Sequence, residues 1–132
     1  MLTTAILERH KRVRAWAIMA MVLAGACLFF LGAQPVAVGL FSSPWDKLAH
    51  VVTFVLIGCA AGIASGARGW TRVLFCVVGA VALGALDEWH QAYLPGRVAA
   101  WDDLAADALG GAISAVLLRI KNAASGREAT HH

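Results

Sequence analysis

The chain contains an uncharged apolar run over residues 15–33, which limits the choice of fold more than any other feature. A bilayer core about 30 Å thick is crossed by about 20 helical residues, so this run could form a membrane-spanning helix. Three more apolar stretches follow, over residues 48–66, 73–94 and 101–118. With 60% hydrophobic and only 14% charged residues, the composition excludes an ordinary soluble domain and a disordered chain.

These stretches predict an all-α fold, a four-helix transmembrane bundle. β-strands are excluded because the runs are too long and show no alternation of apolar and polar residues. A cleaved signal peptide could also begin with basic and then apolar residues, but the first run is long for one, so we expect a retained helix. The predicted segments are a basic N-terminus over 1–14, a membrane domain over 15–120 with helices at about 15–33, 48–66, 72–94 and 101–119, and a tail over 121–132.

The Lys and Arg residues predict the orientation of the bundle. If the N-terminus is cytoplasmic, nine of the eleven basic residues fall on the cytoplasmic side, and only Lys47 and Arg97 fall outside. By the positive-inside rule, both termini are then cytoplasmic, in a multi-pass membrane protein. This distribution also accounts for the net charge of +3, so we expect membrane lipids as partners and no nucleic acid.

The acidic residues have the opposite distribution. Six of the eight carboxylates map to the outer ends of the predicted helices, where His50 and His90 also lie. These six are Asp46, Asp87, Glu88, Asp102, Asp103 and Asp107. Against Lys47 and Arg97 they leave a formal charge of −4 if both histidines are neutral. A low-dielectric site does not hold such a charge unaided, so we expect protonated carboxylates, a charged His50 or a bound cation.

Helical spacing brings several of these side chains to a similar depth. His50 lies one turn after Asp46, and Asp107 lies one turn after Asp103, so each reaches about 6 Å further into the bilayer. Glu88 continues the small-residue face of its helix, and such faces pack against other helices in lipid. Ionisable groups at this depth normally face a bundle interior or a wet cavity, and they indicate a functional site.

We therefore predict one polar cluster at the outer end of the bundle, with a ligand-binding or a structural role. Its members are Asp46, Lys47, His50, Asp87, Glu88, Gln91, Arg97, Asp102, Asp103 and Asp107. The pattern does not identify catalytic residues, for which the candidates are His50, Glu88 and Asp107. A divalent metal is a candidate cofactor, since nitrogen and oxygen ligands could come from His50, Asp46, Glu88 and Asp107. The alternative is an ion-pair network of Lys47 and Arg97 with the carboxylates that locks the helices together.

Three motifs, in this order, resemble those of the VanZ-like family of small integral membrane proteins. Residues 46–50 read DKLAH, similar to a DKxxH motif, and residues 87–91 read DEWHQ, similar to DExxQ. Residues 95–97 read PGR, and 102–110 read DDLAADALG, similar to the acidic pattern that follows PGR in the family. The resemblance covers about residues 44–118, which is most of the chain. One departure is Asp107, where we expect Asn to be common in the family, so the charge of the site differs.

The resemblance implies an envelope-related protein of the bacterial inner membrane, and the family name comes from an accessory protein linked to resistance to the glycopeptide teicoplanin. We expect the polar site to bind a lipid, a cell-wall precursor or a glycopeptide-type ligand, with an envelope protein as another candidate partner. A membrane-embedded enzyme acting on a phosphorylated lipid headgroup, with or without a metal, is the alternative. In that enzyme Arg97 would bind phosphate, and His50 or Glu88 would move protons. A transporter is disfavoured because the inner helix halves carry almost no polar residues.

Overall fold

A computed structural model describes residues 2–37, 40 and 43–128 of the protein. These residues form four α-helices and a short 3-10 helix, with no β-strand among them, so the prediction of an all-α four-helix bundle is confirmed. The helices are α1 (Leu2–Gly32), α2 (Trp45–Ala64), α3 (Gly69–Gln91) and α4 (Trp101–Glu128), and the 3-10 helix covers Pro35–Ala37. Residues 129–132 of the predicted tail lie outside the described residues.

The helix bounds differ in part from the predicted membrane segments. α1 begins at Leu2, so the basic N-terminal segment is helical, and α4 continues to Glu128. α3 covers Gly69–Gln91, about one turn earlier than the predicted 72–94. The helix does not continue to residue 94, because the residue before Pro95 avoids helical geometry, and Gly96 then turns the chain with a φ of 79°.

Successive helices run in opposite directions, which gives the bundle two chemically different ends. α2 begins beside the start of α4, since Lys47 contacts Asp103 across the two helices. We call this the polar end. At the opposite end, which we call the basic end, the Arg119 guanidinium of α4 lies 4.6 Å from the centre of the Trp70 ring of α3. This cation–π contact joins α4 to the start of α3.

Helices α2, α3 and α4 form the centre of the bundle, and α1 packs at its side against α2 and α3. Two groups of buried apolar side chains hold the central helices together, Phe54, Ile57 and Ala80 in one and Cys76, Ala115 and Leu118 in the other. Ala24 and Leu28 of α1 pack against the first group. The centre of the fold is therefore built by the same three helices that carry the polar residues.

Glycines let the central helices approach each other closely. A Cβ atom on Gly110 of α4 would lie 2.8 Å from the Val51 carbonyl oxygen of α2. One on Gly111 would lie 3.0 Å from the Cys76 carbonyl oxygen of α3. Small residues at such contacts are the usual way in which transmembrane helices pack without a hydrophobic driving force. These two glycines set the distance of α4 from both of its neighbours.

Within the described residues, three helices are long and apolar enough to cross a membrane, namely α1 over Thr3–Gly32, α2 and α3. α4 carries more charge, but Asp103 and Asp107 are only 9% and 0% exposed and therefore face the bundle. On the face of α4 that points away from the bundle, the charged residues are Asp102 near its start and Arg119 further along. They are separated by roughly 25 Å at 1.5 Å per residue. The uncharged part of this face of α4 is therefore nearly as long as a bilayer core of about 30 Å is thick.

The surface of the bundle is apolar, with aromatic side chains toward both ends. All five tryptophans are exposed, Trp16 and Trp70 toward the basic end and Trp45, Trp89 and Trp101 toward the polar end. Many aliphatic side chains between them are exposed as well. Exposed aliphatic residues bordered by tryptophan are typical of a lipid-facing surface with its two interfacial belts.

The close glycine contact predicts a selective loss of stability. We expect Gly110→Ala to lower the free energy of unfolding by about 1–3 kcal/mol, because the added methyl group meets backbone atoms of α2 that cannot move independently. Gly25→Ala is the matched control, since its Cβ would lie 3.5 Å from the Leu83 side chain, an ordinary contact. Unfolding by SDS in mixed micelles, followed by circular dichroism, measures both variants. Equal stability of the two variants would contradict this account of the packing.

Candidate functional site

Lys47 is the centre of an ion-pair group at the polar end. Its ammonium nitrogen lies 3.0 Å from a carboxylate oxygen of Asp46 and 3.0 Å from one of Asp102, and it also pairs with Asp103. Asp46 belongs to α2, whereas Asp102 and Asp103 belong to the first turn of α4. One cation therefore ties together the starts of two helices. The carboxylates also offset the partial positive charge of those helix N-termini.

One turn deeper, His50 of α2 meets Asp107 of α4. The His50 Nδ1 atom lies 2.8 Å from Asp107 Oδ1, which is hydrogen-bonding distance. The Asp107 side chain is fully buried, and a Cβ atom on Gly84 of α3 would overlap its Oδ2 atom. Gly84 thus provides the space for this carboxylate. Oδ2 has no hydrogen-bond partner among the described residues, although it is buried.

Glu88 fastens the end of α3 to the start of α4. Its Oε2 atom accepts a hydrogen bond of 2.6 Å from the backbone N–H of Ala100, the residue before α4 begins. The residue is only 8% exposed. Its other carboxylate oxygen, Oε1, is buried and has no hydrogen-bond partner among the described residues. A buried carboxylate oxygen without a donor is costly, so this atom is available to a ligand.

Asp87 and Gln91 form a second polar pair on the neighbouring face of α3. The Gln91 Nε2 atom donates a hydrogen bond of 2.7 Å to Asp87 Oδ2. Both residues are buried, and both line a cavity between α1, α2 and α3. Asp87 Oδ1 has no hydrogen-bond partner among the described residues. The two side chains therefore contribute to the polar wall of the cavity.

Arg97 and His90 both lie against α1. Arg97 belongs to the turn between α3 and α4, and it lines the same cavity. A Cβ atom on Gly32, at the end of α1, would lie 3.6 Å from an Arg97 nitrogen. The His90 ring packs against Phe29 of α1 with 4.7 Å between ring centres. His90 is thus held by an aromatic contact, while Arg97 adds a cation to the cavity wall.

The cavity has a volume of about 550 Å³ and two kinds of wall. One wall is apolar and comes from α1, and it continues through residues that follow this helix. Its members include Ala24, Cys27, Leu28, Leu31, Val36 and Leu40. The other wall is polar and contains Asp46, His50, Asp87, Gln91 and Arg97. A cavity with one apolar wall and one polar wall has the lining that an amphiphilic molecule needs.

The structure divides the predicted polar cluster into two groups. Lys47, Glu88, Asp103 and Asp107 lie between the central helices, and Asp102 pairs with Lys47 from the exposed side of α4. Asp46, Asp87, Gln91 and Arg97 line the cavity beside α1. His50 belongs to both groups, because it lines the cavity and contacts Asp107. All ten predicted residues thus lie at the polar end, but they serve two different spaces.

The apolar wall of the cavity was missed by sequence reasoning. The polar pattern contains no residue of α1, because α1 has no polar side chain within its membrane segment. A signal for this wall does exist in the sequence. Ala24, Cys27, Leu28 and Leu31 follow each other at helical spacing and therefore share one face of α1. Such a face could pack on another helix or border a cavity, and the structure shows both.

Comparison with known proteins assigns the chain to a family. The model of the VanZ/LLP1 family matches residues 10–122, which include the polar end and nearly all of the four helices. The chain belongs to the VanZ/LLP1 family. The resemblance seen in the three sequence motifs is therefore confirmed. No curated protein and no solved structure matches the chain.

The buried contact between α2 and α4 predicts energetic coupling. We expect His50→Phe and Asp107→Leu each to destabilise this VanZ/LLP1 protein by about 1–3 kcal/mol, because each leaves a buried polar partner unsatisfied. The double variant should lose less than the sum of the two, with a coupling energy of about 0.5–3 kcal/mol. SDS unfolding of all four proteins measures the cycle.

A second cycle provides the control for this coupling. His90→Phe combined with Asp107→Leu should give additive losses, since His90 packs on α1 and not on Asp107. Additive losses in the His50–Asp107 cycle would show that the hydrogen bond does not hold α2 to α4.

Proposed function

We propose that this VanZ/LLP1 membrane protein binds the polar headgroup of a lipid or of a lipid-linked cell-wall precursor. The cavity beside α1 carries the proposal, since one space of about 550 Å³ has both an apolar wall and a polar wall. Ligand cavities in proteins commonly have volumes of about 300–1,000 Å³. An acyl or prenyl chain would lie along α1, and the headgroup would lie against Asp87 and Arg97.

The polar wall favours a headgroup that carries both a phosphate and hydrogen-bond donors. Asp46 Oδ1 and Asp87 Oδ1 are buried acceptors without a hydrogen-bond partner among the described residues, and both residues line the cavity. Amine or hydroxyl groups of a headgroup would satisfy these acceptors. The Arg97 guanidinium lines the same cavity, and a guanidinium matches the geometry of a phosphate. The headgroup chemistry is therefore a phosphate joined to an amine or to hydroxyl groups.

The proposed location is the bacterial cytoplasmic membrane, with both termini in the cytoplasm. The support for this is the placement of nine of the eleven basic residues on the side of the termini. The cavity then opens near the outer leaflet, where lipid-linked envelope precursors are used. In this setting the protein contributes to envelope function and, through the precursor that it binds, to teicoplanin-type resistance.

The orientation is tested by cysteine labelling from one side of the membrane. Ser43, just before α2, and Ala124, near the end of α4, are both exposed and lie at opposite ends of the bundle. We expect Ser43→Cys to react with a membrane-impermeant maleimide in intact spheroplasts, and Ala124→Cys to react only after lysis. The unsubstituted chain, with its three native cysteines, supplies the background signal. Labelling of Ala124→Cys in intact spheroplasts would reverse the proposed topology.

Lipid binding is tested by native mass spectrometry of the delipidated protein in detergent. We expect phosphatidylethanolamine to bind more tightly than phosphatidylcholine, because only its amine can donate hydrogen bonds to Asp46 and Asp87. Asp87→Asn and Arg97→Gln should each weaken binding by about 10-fold, which corresponds to about 1.4 kcal/mol. Asp102→Asn is the control, because this residue is exposed and lies outside the cavity. Equal binding of both lipids by all variants would contradict the proposal.

An enzyme acting on a phosphorylated headgroup is the second candidate, and one contact favours it. His50 lines the cavity and its ring is oriented by Asp107, an arrangement that suits a general base. The same lipid-loaded samples report on this activity if the lipid masses are followed with time. Loss of a phosphorylated fragment that stops in His50→Ala would support an enzyme, and unchanged lipid masses would support binding alone.

A further inference from the structure

A second set of candidate ligand atoms lies between the three central helices. His50 of α2, Glu88 of α3 and Asp103 of α4 each offer one nitrogen or oxygen atom, and these atoms all lie within 4.8 Å of one another. Glu88 and Asp103 do not line the cavity beside α1. The three residues come from three helices, so only the folded bundle brings them together.

We propose that His50, Glu88 and Asp103 bind one divalent transition-metal ion, Zn²⁺ or Mn²⁺. An imidazole nitrogen with two carboxylate oxygens suits these ions, whereas Mg²⁺ and Ca²⁺ favour oxygen ligands alone. Three protein ligands also match the pattern of metal sites that leave a position open for water or substrate. The ion would lie among α2, α3 and α4 and would join them.

The unpartnered oxygen of Glu88 is an independent reason to place a ligand here. Glu88 is more than nine-tenths buried, and its Oε1 atom has no donor among the described residues. The Ala100 amide already holds Oε2, which fixes the carboxylate in place. A metal ion would complete the coordination of this buried oxygen. It would also reduce the excess of negative charge at the polar end, where six carboxylates face Lys47 and Arg97.

Asp107 acts as a positioning residue in this site. Its Oδ1 atom lies 2.8 Å from His50 Nδ1, so that ring nitrogen is engaged and Nε2 is the nitrogen left for a metal. Histidines that bind metals usually donate their other N–H to a carboxylate or a carbonyl group, which fixes the ring and raises its basicity. In the proposed site Asp107 therefore orients the histidine and is not itself a ligand, a different role from the one that the sequence pattern suggested.

Lys47 neutralises part of the site in the absence of a metal. Its ammonium pairs with Asp103, but it also pairs with Asp46 and Asp102. When an ion binds Asp103, the lysine keeps two carboxylate partners and no charge is left alone. Asp46, a ligand candidate in the sequence pattern, is not part of the proposed set and pairs with Lys47.

Metal binding is tested on residues 1–130 in detergent, with a purification tag that contains no histidine. Removing His131 and His132 excludes metal binding by the terminal histidines. After EDTA treatment, isothermal titration with ZnCl₂ and MnCl₂ should give one equivalent, and MgCl₂ should bind at least 10-fold more weakly. Glu88→Gln and His50→Ala should each weaken binding by at least 10-fold. Asp107→Ala should weaken it by about 10–100-fold, and Asp107→Asn should retain most of the affinity because its amide oxygen still accepts from Nδ1–H.

Two controls and one spectroscopic measurement separate this site from nonspecific binding. His90→Ala and Glu8→Gln should bind as the unsubstituted chain does, since neither residue belongs to the set and Glu8 is exposed near the start of α1. Bound Mn²⁺ in the unsubstituted chain should show electron spin echo modulation from one coordinated imidazole nitrogen. This measurement does not depend on whether any variant folds. Absence of that nitrogen signal, or equal loss in the control variants, would overturn the proposal. No lipid takes part, so failure of this test leaves the binding cavity unaffected.

Discussion

A charged group inside a bilayer is stable only when another polar group meets it, and this constraint organises the polar end of the bundle. Lys47 and His50 enter from α2, and each finds its carboxylate on α4. Glu88 of α3 finds a backbone amide just before α4 begins. The first turns of α4 are therefore the common partner of both other central helices. Their position decides the geometry of the ion-pair group, of the proposed metal ligands and of the cavity wall at His50.

The close packing of small residues makes these polar contacts geometrically feasible. Gly110 and Gly111 bring the backbone of α4 close to α2 and α3, and Gly84 leaves room for the Asp107 carboxylate. Short side chains such as aspartate can bridge two helices only at such separations. Packing and chemistry are thus parts of one arrangement, in which a small residue on one helix faces a polar residue on the next. This explains why carboxylates share helix faces with glycine and alanine.

Much of the architecture could be predicted from the sequence, because hydrophobic runs and helical spacing are local properties. The four helices and the convergence of His50 with Asp107 follow from run length and from one-turn spacing. The division of the polar residues into two groups could not be predicted. It depends on the rotation of α3, which turns Asp87 toward α1 and Glu88 toward α4. Rotation is set by side-chain packing between helices, which a single sequence does not reveal.

Because the chain is synthesised from its N-terminus, the polar contacts of α4 are the last to form. α2 leaves the ribosome before α4, so Lys47 and His50 reach the membrane before Asp103 and Asp107 have been made. Until then these side chains need water, headgroups or the insertion machinery as temporary partners, since hydrocarbon offers none. A nascent chain arrested before residue 101 would therefore have three hydrophobic helices but none of the α4 carboxylates that pair with Lys47 and His50.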